Sequence, residues 1–314
     1  MSELPPGGVV PELFRGLFDD AAVFPPGNLP VADAVPAHLV HRAAWYAEAV
    51  GPLLCGAGRL GELAAAAAGG AAVTDAASAG GSAAGSAAAG GTAGAGDAPL
   101  RIGLVLPGGS AELAPALAAA APFDLTGVEL ATRDAAEAIA ELDRLLPPHV
   151  PAAVELPREL LRGDGLDAVL DALVDSPYRA KFRTGGLVAE AFPDEAELAA
   201  FLTGCAQRGL PYKCTAGLHN AVRHTDRETG FEHHGFLNVL LAAQETDPAT
   251  AAAVLAERDG EVLAKAVRAL TDRQVTVIRN SFTAFGTCSI AEPLGDLAAL
   301  GLLSSPAPQH QEDR

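Results

Sequence analysis

Of the 21 lysine and arginine residues in this chain, only three are lysines: Lys181, Lys213 and Lys265. A chain that writes nearly all its cations as arginine has little use for lysine as a generic charge. Yet Lys181 and Lys213 each sit inside a short apolar run, Ala-Lys-Phe and Tyr-Lys-Cys. Their separation is that of one strand–helix unit. Adjacent parallel strands lie about 4.8 Å apart, so lysines at one level of neighbouring strands bring their amines close together. A like charge at that range, with partial desolvation, favours a neutral amine. A neutral amine near pH 7 attacks a carbonyl and forms a Schiff base. The competing reading pairs each lysine with a carboxylate such as Glu155 or Asp20 and leaves it to bind an anionic substrate.

Further groups able to do chemistry stand where strands are expected to end. They are Asp19 and Asp20, Cys55, Glu129, Glu155, Arg183 and Thr184 after Lys181, Thr215 and His219 after Lys213, and Thr287 with Ser289. Gly185, Gly186, Gly217 and Gly286 lie among them and let backbone N–H groups approach a ligand oxygen. A histidine-rich stretch follows, with His219, Arg223, His224, His233 and His234, and then Asn238. Catalytic roles are expected for Lys181, Lys213, Asp20, Glu129, Glu155 and His219. Arg183, Thr184, Gly185, Gly186, Thr215, Gly217, Arg223, His234, Asn238, Gly286, Thr287 and Ser289 are expected to contact substrate. No cofactor is expected on the lysine reading. The alternative is a divalent metal ion held by His219, His224, His233 and His234, serving a hydrolase or isomerase. No pair among them has the His-x-x-x-His spacing within a clear helix that would strengthen it.

These groups need strands to position them. Candidate strands cover Ala21 to Phe24, Leu53 to Cys55, Ile102 to Leu106, Gly127 to Leu130, Ala152 to Glu155, Ala180 to Phe182 and Pro211 to Cys214. A last one lies within Val275 to Cys288. Between them run amphipathic stretches such as Ala111 to Ala120, Ala135 to Leu146, Gly165 to Val174 and Glu195 to Arg208. The connection after the seventh strand is longer, with helices around Phe236 to Ala243 and Ala251 to Leu270. Regular alternation of this kind predicts an α/β fold, a (β/α)8 TIM barrel, with an open doubly wound sheet as the runner-up. Both lysines are then expected to point into one cavity at the barrel mouth. The barrel should occupy residues 1–303, interrupted at 64–99 by an Ala/Gly/Ser insertion that reads as a solvated tether, with a polar tail over 304–314.

Composition narrows the partners. Hydrophobic residues make up 49% of the chain, enough for a sizeable core. A net charge of −18 argues against nucleic acid and anionic membranes as partners, since both need a basic face. The expected partner is a small carbonyl or anionic molecule, and a homo-oligomer is compatible with the sequence. Four cysteines without a CxxC pair, no signal-like N-terminus and no long apolar span fit a cytoplasmic protein.

Six segments together resemble a known family. Phe-Asp-Asp-Ala-Ala-Val-Phe-Pro-Pro (18–26), Val-Glu-Leu (128–130), Ala-Val-Glu-Leu (153–156), Ala-Lys-Phe-Arg-Thr-Gly-Gly (180–186), Tyr-Lys-Cys-Thr-Ala-Gly (212–217) and Phe-Gly-Thr-Cys-Ser (285–289) fall in the order of the strand-end motifs of deoxyribose-phosphate aldolase. The resemblance implies a class I aldolase barrel. It makes Lys181 the Schiff-base lysine and Lys213 the neighbour that favours its neutral form. Asp20 and Glu129 become the acidic partners, and Gly286, Thr287 and Ser289 hold the far end of the substrate. The sequence departs from that family at Arg183, where a small residue is usual, and in the histidine-rich loop. Residues 213–220 with 234–238 also resemble a bacterial family of unassigned function, which implies no activity.

Overall fold

Along the barrel strands large apolar side chains alternate with small or charged ones. A strand's side chains point to opposite faces in turn, and here the two sets go to different places. Ile102, Leu104 and Leu106, Val128 and Leu130, Ala180 and Phe182, and Tyr212 and Cys214 all join one continuous apolar core with the surrounding helices. The residues between them face the barrel interior. Full burial of each large outward side chain contributes roughly 1.5–3 kcal/mol, so the outward set holds the layers together and leaves the inward set free for polar groups.

A computed structural model describes residues 8–68, 99–162 and 165–306. Eight parallel strands close into a (β/α)8 barrel: β1 (Phe18–Asp20), β2 (Val50–Gly56), β3 (Arg101–Leu106), β4 (Asp124–Ala131), β5 (Ala152–Glu155), β6 (Arg179–Arg183), β7 (Tyr212–Thr215) and β10 (Phe282–Thr287). β10 closes the ring between β7 and β1. A two-stranded antiparallel ribbon, β8 (His224–Thr225) with β9 (Glu232–His233), stands in the long connection after β7. Among the described residues no helix is long and apolar enough to cross a membrane. Most of the expected 64–99 insertion and of the 304–314 tail lies outside the described residues, although 60–68 is helical.

Two boundaries differ from expectation. The first strand is Phe18–Asp20, not Ala21 to Phe24. An apolar run was the wrong cue there, because this strand carries carboxylates while residues 21–24 turn back, with Phe24 N–H donating to Ala21 O. The second is the expected helix Ala251 to Leu270, which is two helices, Pro248–Ala256 and Gly260–Arg268. Asp259 starts the second by accepting hydrogen bonds from Glu261 and Val262 N–H, which caps the new N-terminus. A third helix, Asp272–Ser281, then occupies much of the stretch in which the last strand was sought.

The loops that follow β6 and β7 press together at the C-terminal end of the barrel. Gly217 has φ +77°, and a Cβ there would sit 2.8 Å from Thr184 O. Gly217→Ala is therefore expected to destabilise the fold by about 1–3 kcal/mol, read from urea unfolding. A wild-type midpoint would contradict this account of the loop contact.

Candidate active site

The site begins with register. Lys181 on β6 lies opposite Lys213 on β7, and Glu155 on β5 lies opposite Lys181. The three side chains enter the barrel at one level, and Glu129 reaches them from β4. Lys181 Nζ stands 2.5 Å from Glu129 Oε2 and 2.6 Å from Glu155 Oε2. Lys213 Nζ donates to Asp19 Oδ2 at 2.5 Å and to Glu129 Oε1. Glu129 thus touches one lysine with each oxygen. Lys181 is only 2% exposed, and Asp19, Glu129 and Lys213 are buried too.

Burial alone would raise the Glu129 carboxyl, but the two neighbouring ammonium groups outweigh it and hold it down at about 2. Burial would likewise lower the Lys213 amine, but Asp19 and Glu129 outweigh it and raise it above the ordinary lysine value. Asp19 goes the other way: desolvation raises its carboxyl although Lys213 opposes the rise. Lys213 is therefore a fixed cation with its proton secured by two carboxylates.

Asp20 does not reach the lysines. With Asp19 turned inward, the period-two alternation sends Asp20 to the opposite face. There its Oδ2 lies 2.9 Å from His38 Nδ1 and its Oδ1 accepts from Ala22 N–H. His38 was not anticipated. It continues the buried stripe Val31, Ala34, Val35 along the helix Val31–Ala43, a spacing that marks it as inward-facing. His38→Ala would leave a buried carboxylate oxygen unpaired, and a loss of about 1–3 kcal/mol is expected in denaturant unfolding. A loss below about 0.5 kcal/mol, the range of ordinary surface substitutions, would show that the pair carries no weight.

At the C-terminal side Arg183 comes within 3.6 Å of Glu155 and is about half exposed, so it stands over the lysine cluster on the solvent side. Thr184 Oγ1 donates to Ala216 O, and Gly185 packs closely on Gly217. Gly186 follows on this loop, and Thr215 is paired with Gly286 in register. Thr287 Oγ1 donates to Ser289 O. His219 lies 3.3 Å from Glu292 and 3.4 Å from Cys288 Sγ, and burial lowers its imidazole below the ordinary value although Glu292 opposes this.

The remaining expected residues do not converge on the lysines. Arg223 pairs with Glu195 at 2.8 Å and Glu232 at 3.2 Å, and contacts His234 Nδ1 at 3.2 Å. His234 Nε2 meets Pro193 O at 2.9 Å, so both ring nitrogens are engaged and the residue is fully buried. Asn238 accepts from Arg223 N–H and donates to Val254 and Glu257 carbonyls. These three brace the long connection internally. His224 and His233 face each other across the β8–β9 ribbon with ring centroids 5.2 Å apart. Among the described residues no group of three or more His, Cys, Asp or Glu is placed to hold a metal ion, and His234 is spent elsewhere.

The cavity differs in place from expectation. A hollow of about 510 Å³ touches the cluster, but it is lined by residues at the N-terminal ends of the strands and includes Lys213 rather than Lys181. No protein-family model, curated protein or solved structure matches the chain, so the site is read from its own geometry.

Proposed function

We propose that the chain is a class I aldolase-type lyase in which Lys181 forms a Schiff base with a small carbonyl substrate. The observation that supports it most is the shared carboxylate: two lysines in register, with Glu129 between them. TIM barrels carry their chemistry at the C-terminal ends of the strands, which is where Arg183 and the Gly185–Gly186 loop stand.

In the proposed reaction Glu155, next to Lys181, accepts the proton that the amine must lose before it attacks the carbonyl carbon. Glu155 then returns this proton to the resulting hydroxyl, which leaves as water and yields the iminium. Cleavage of the neighbouring C–C bond sends its electron pair to the iminium nitrogen, while Glu155 takes the proton from the departing hydroxyl and an aldehyde is released. The enamine left on Lys181 takes that proton back from Glu155 at carbon, and water adds to the iminium with Glu155 as base and then as acid, which releases the carbonyl product and the lysine. Asp19 and Glu129 hold Lys213 in its charged form throughout. Arg183 and the Gly286–Thr287–Ser289 segment are the groups proposed to hold the far end of the substrate.

The test is borohydride reduction in the presence of a panel of small aldehydes and ketones, read as mass added to the intact protein. One substrate-sized adduct per chain is expected, unaffected by a chelator. Absence of any adduct across the panel, with activity lost to the chelator, would overturn the proposal.

A further inference from the structure

The N-terminal end of this barrel is hollow where barrels are normally filled. Barrel interiors are packed by layers of branched side chains, but here the strands present Gly103, Gly127, Ala153 and Ala284 to the 510 Å³ hollow. Four arginines line the same space: Arg15, Arg42, Arg101 and Arg179. That concentration is notable in a chain of net charge −18.

The charges are not all answered within the protein. Arg15 pairs with Glu12 at 3.0 Å and Glu48 at 3.3 Å, and Arg101 with Asp124 at 3.5 Å. Arg42 and Arg179 have no carboxylate partner among the described residues. Arg42 donates to the carbonyls of Ala47 and Val50, and Arg179 reaches only Thr283 Oγ1 at 3.5 Å. Burial lowers both guanidinium groups from their ordinary value, and the charge of Arg101 adds to this at Arg42. Arginine nonetheless stays protonated. A third guanidinium close to Arg179, that of Arg279, is likewise bonded only to backbone carbonyls. At the inner end of the hollow Asp19 and Glu129 share the Lys213 ammonium, and the charge of Asp19 also acts on Arg179 without pairing with it. The guanidinium groups without an ion-pair partner therefore lie in the outer part.

We infer that this hollow is an anion site for a phosphate group, carried by a small phosphorylated molecule or by inorganic phosphate itself. The planar fork of arginine matches phosphate oxygens two at a time, and the glycine and alanine floor leaves room for the group. The site opens at the N-terminal end of the barrel and meets the proposed chemistry at Lys181 only at its inner end, through Asp19, Glu129 and Lys213.

The experiment is calorimetric titration of the full chain with inorganic phosphate at ionic strength held constant with sodium chloride. Saturable binding is expected, weakened about tenfold by Arg42→Gln or Arg179→Gln, which corresponds to about 1.4 kcal/mol for each lost contact, and abolished in the double variant. Should an arginine variant fail to fold, Gly127→Val serves instead. Its Cβ meets nothing nearer than Pro151 O at 3.5 Å, so the side chain narrows the hollow without a clash at Cβ, and it too should weaken binding. Lys181→Arg should leave phosphate binding intact, which separates this inference from the lyase reading. No saturation with the wild type, or binding undiminished in the double arginine and Gly127→Val variants, would overturn it.

Discussion

Lys181→Arg is expected to abolish covalent trapping by borohydride, and with it turnover of any substrate identified. Arginine preserves the positive charge beside Glu129 and Glu155, so the buried ion pairs at 2.5 and 2.6 Å keep a cation. What it cannot do is become a neutral amine near pH 7 and attack a carbonyl. Lys213→Arg should behave differently. Asp19 and Glu129 would still face a cation, but the single Nζ donor that now serves both would be replaced by a wider fork. Trapping should persist at a reduced rate, because the proposed nucleophile is intact while the cation beside it is displaced. Trapping that survives Lys181→Arg and disappears with Lys213→Arg would exchange the two roles. Equal, complete loss in both would mean that the cluster acts only as a folded unit.

The second large effect concerns Glu129. Glu129→Gln removes the one carboxylate that faces both lysines and leaves Lys181 with Glu155 and Lys213 with Asp19. Breaking a buried ion pair by removing one partner costs about 3–5 kcal/mol, so a large fall in the urea midpoint at pH 7 is expected. The pH profile supplies a sharper check. The Glu129 carboxyl is depressed in the folded chain from 4.5 to about 2. Its stabilisation is then fully present above about pH 4.5 and is lost as pH falls through about 2. The difference corresponds to about 3 kcal/mol. Asp19 is shifted upward and favours the folded state on the acid side, which offsets part of that loss. Wild-type stability should fall more steeply than that of Glu129→Gln between pH 4.5 and 2. Parallel acid limbs would contradict the bridging role.

Much of this arrangement is legible in the sequence, and the reasons are specific. The eightfold alternation predicts the barrel because the outward residues of most strands are apolar, and Ala152–Glu155 and Gly165–Val174 match their expected bounds. The scarcity of lysine singles out Lys181 and Lys213, and strand spacing brings them into register. Asp19 is not legible in the same way. Choosing between Asp19 and Asp20 needs the strand's phase, and a strand of three residues with two carboxylates offers almost no apolar pattern to set it. His38 is hidden because a histidine on an amphipathic stripe reads as ordinary helix until its partner is known. The hollow at the N-terminal end escapes because glycine and alanine in a strand carry no signal of what surrounds them, and Arg42 and Arg179 come from distant segments. The histidine-rich stretch looks like a ligand set in sequence, yet folding directs His234 to Arg223 and Pro193.

The most direct test of the central claim is to locate the trapped adduct. Borohydride reduction with a reactive carbonyl compound, followed by proteolysis and peptide mass analysis, distinguishes the three lysines of the chain because they lie far apart in sequence. The account predicts a single reduced adduct on Lys181, with Lys213 and Lys265 unmodified. An adduct on Lys213, or modification spread over all three lysines without preference, would contradict it.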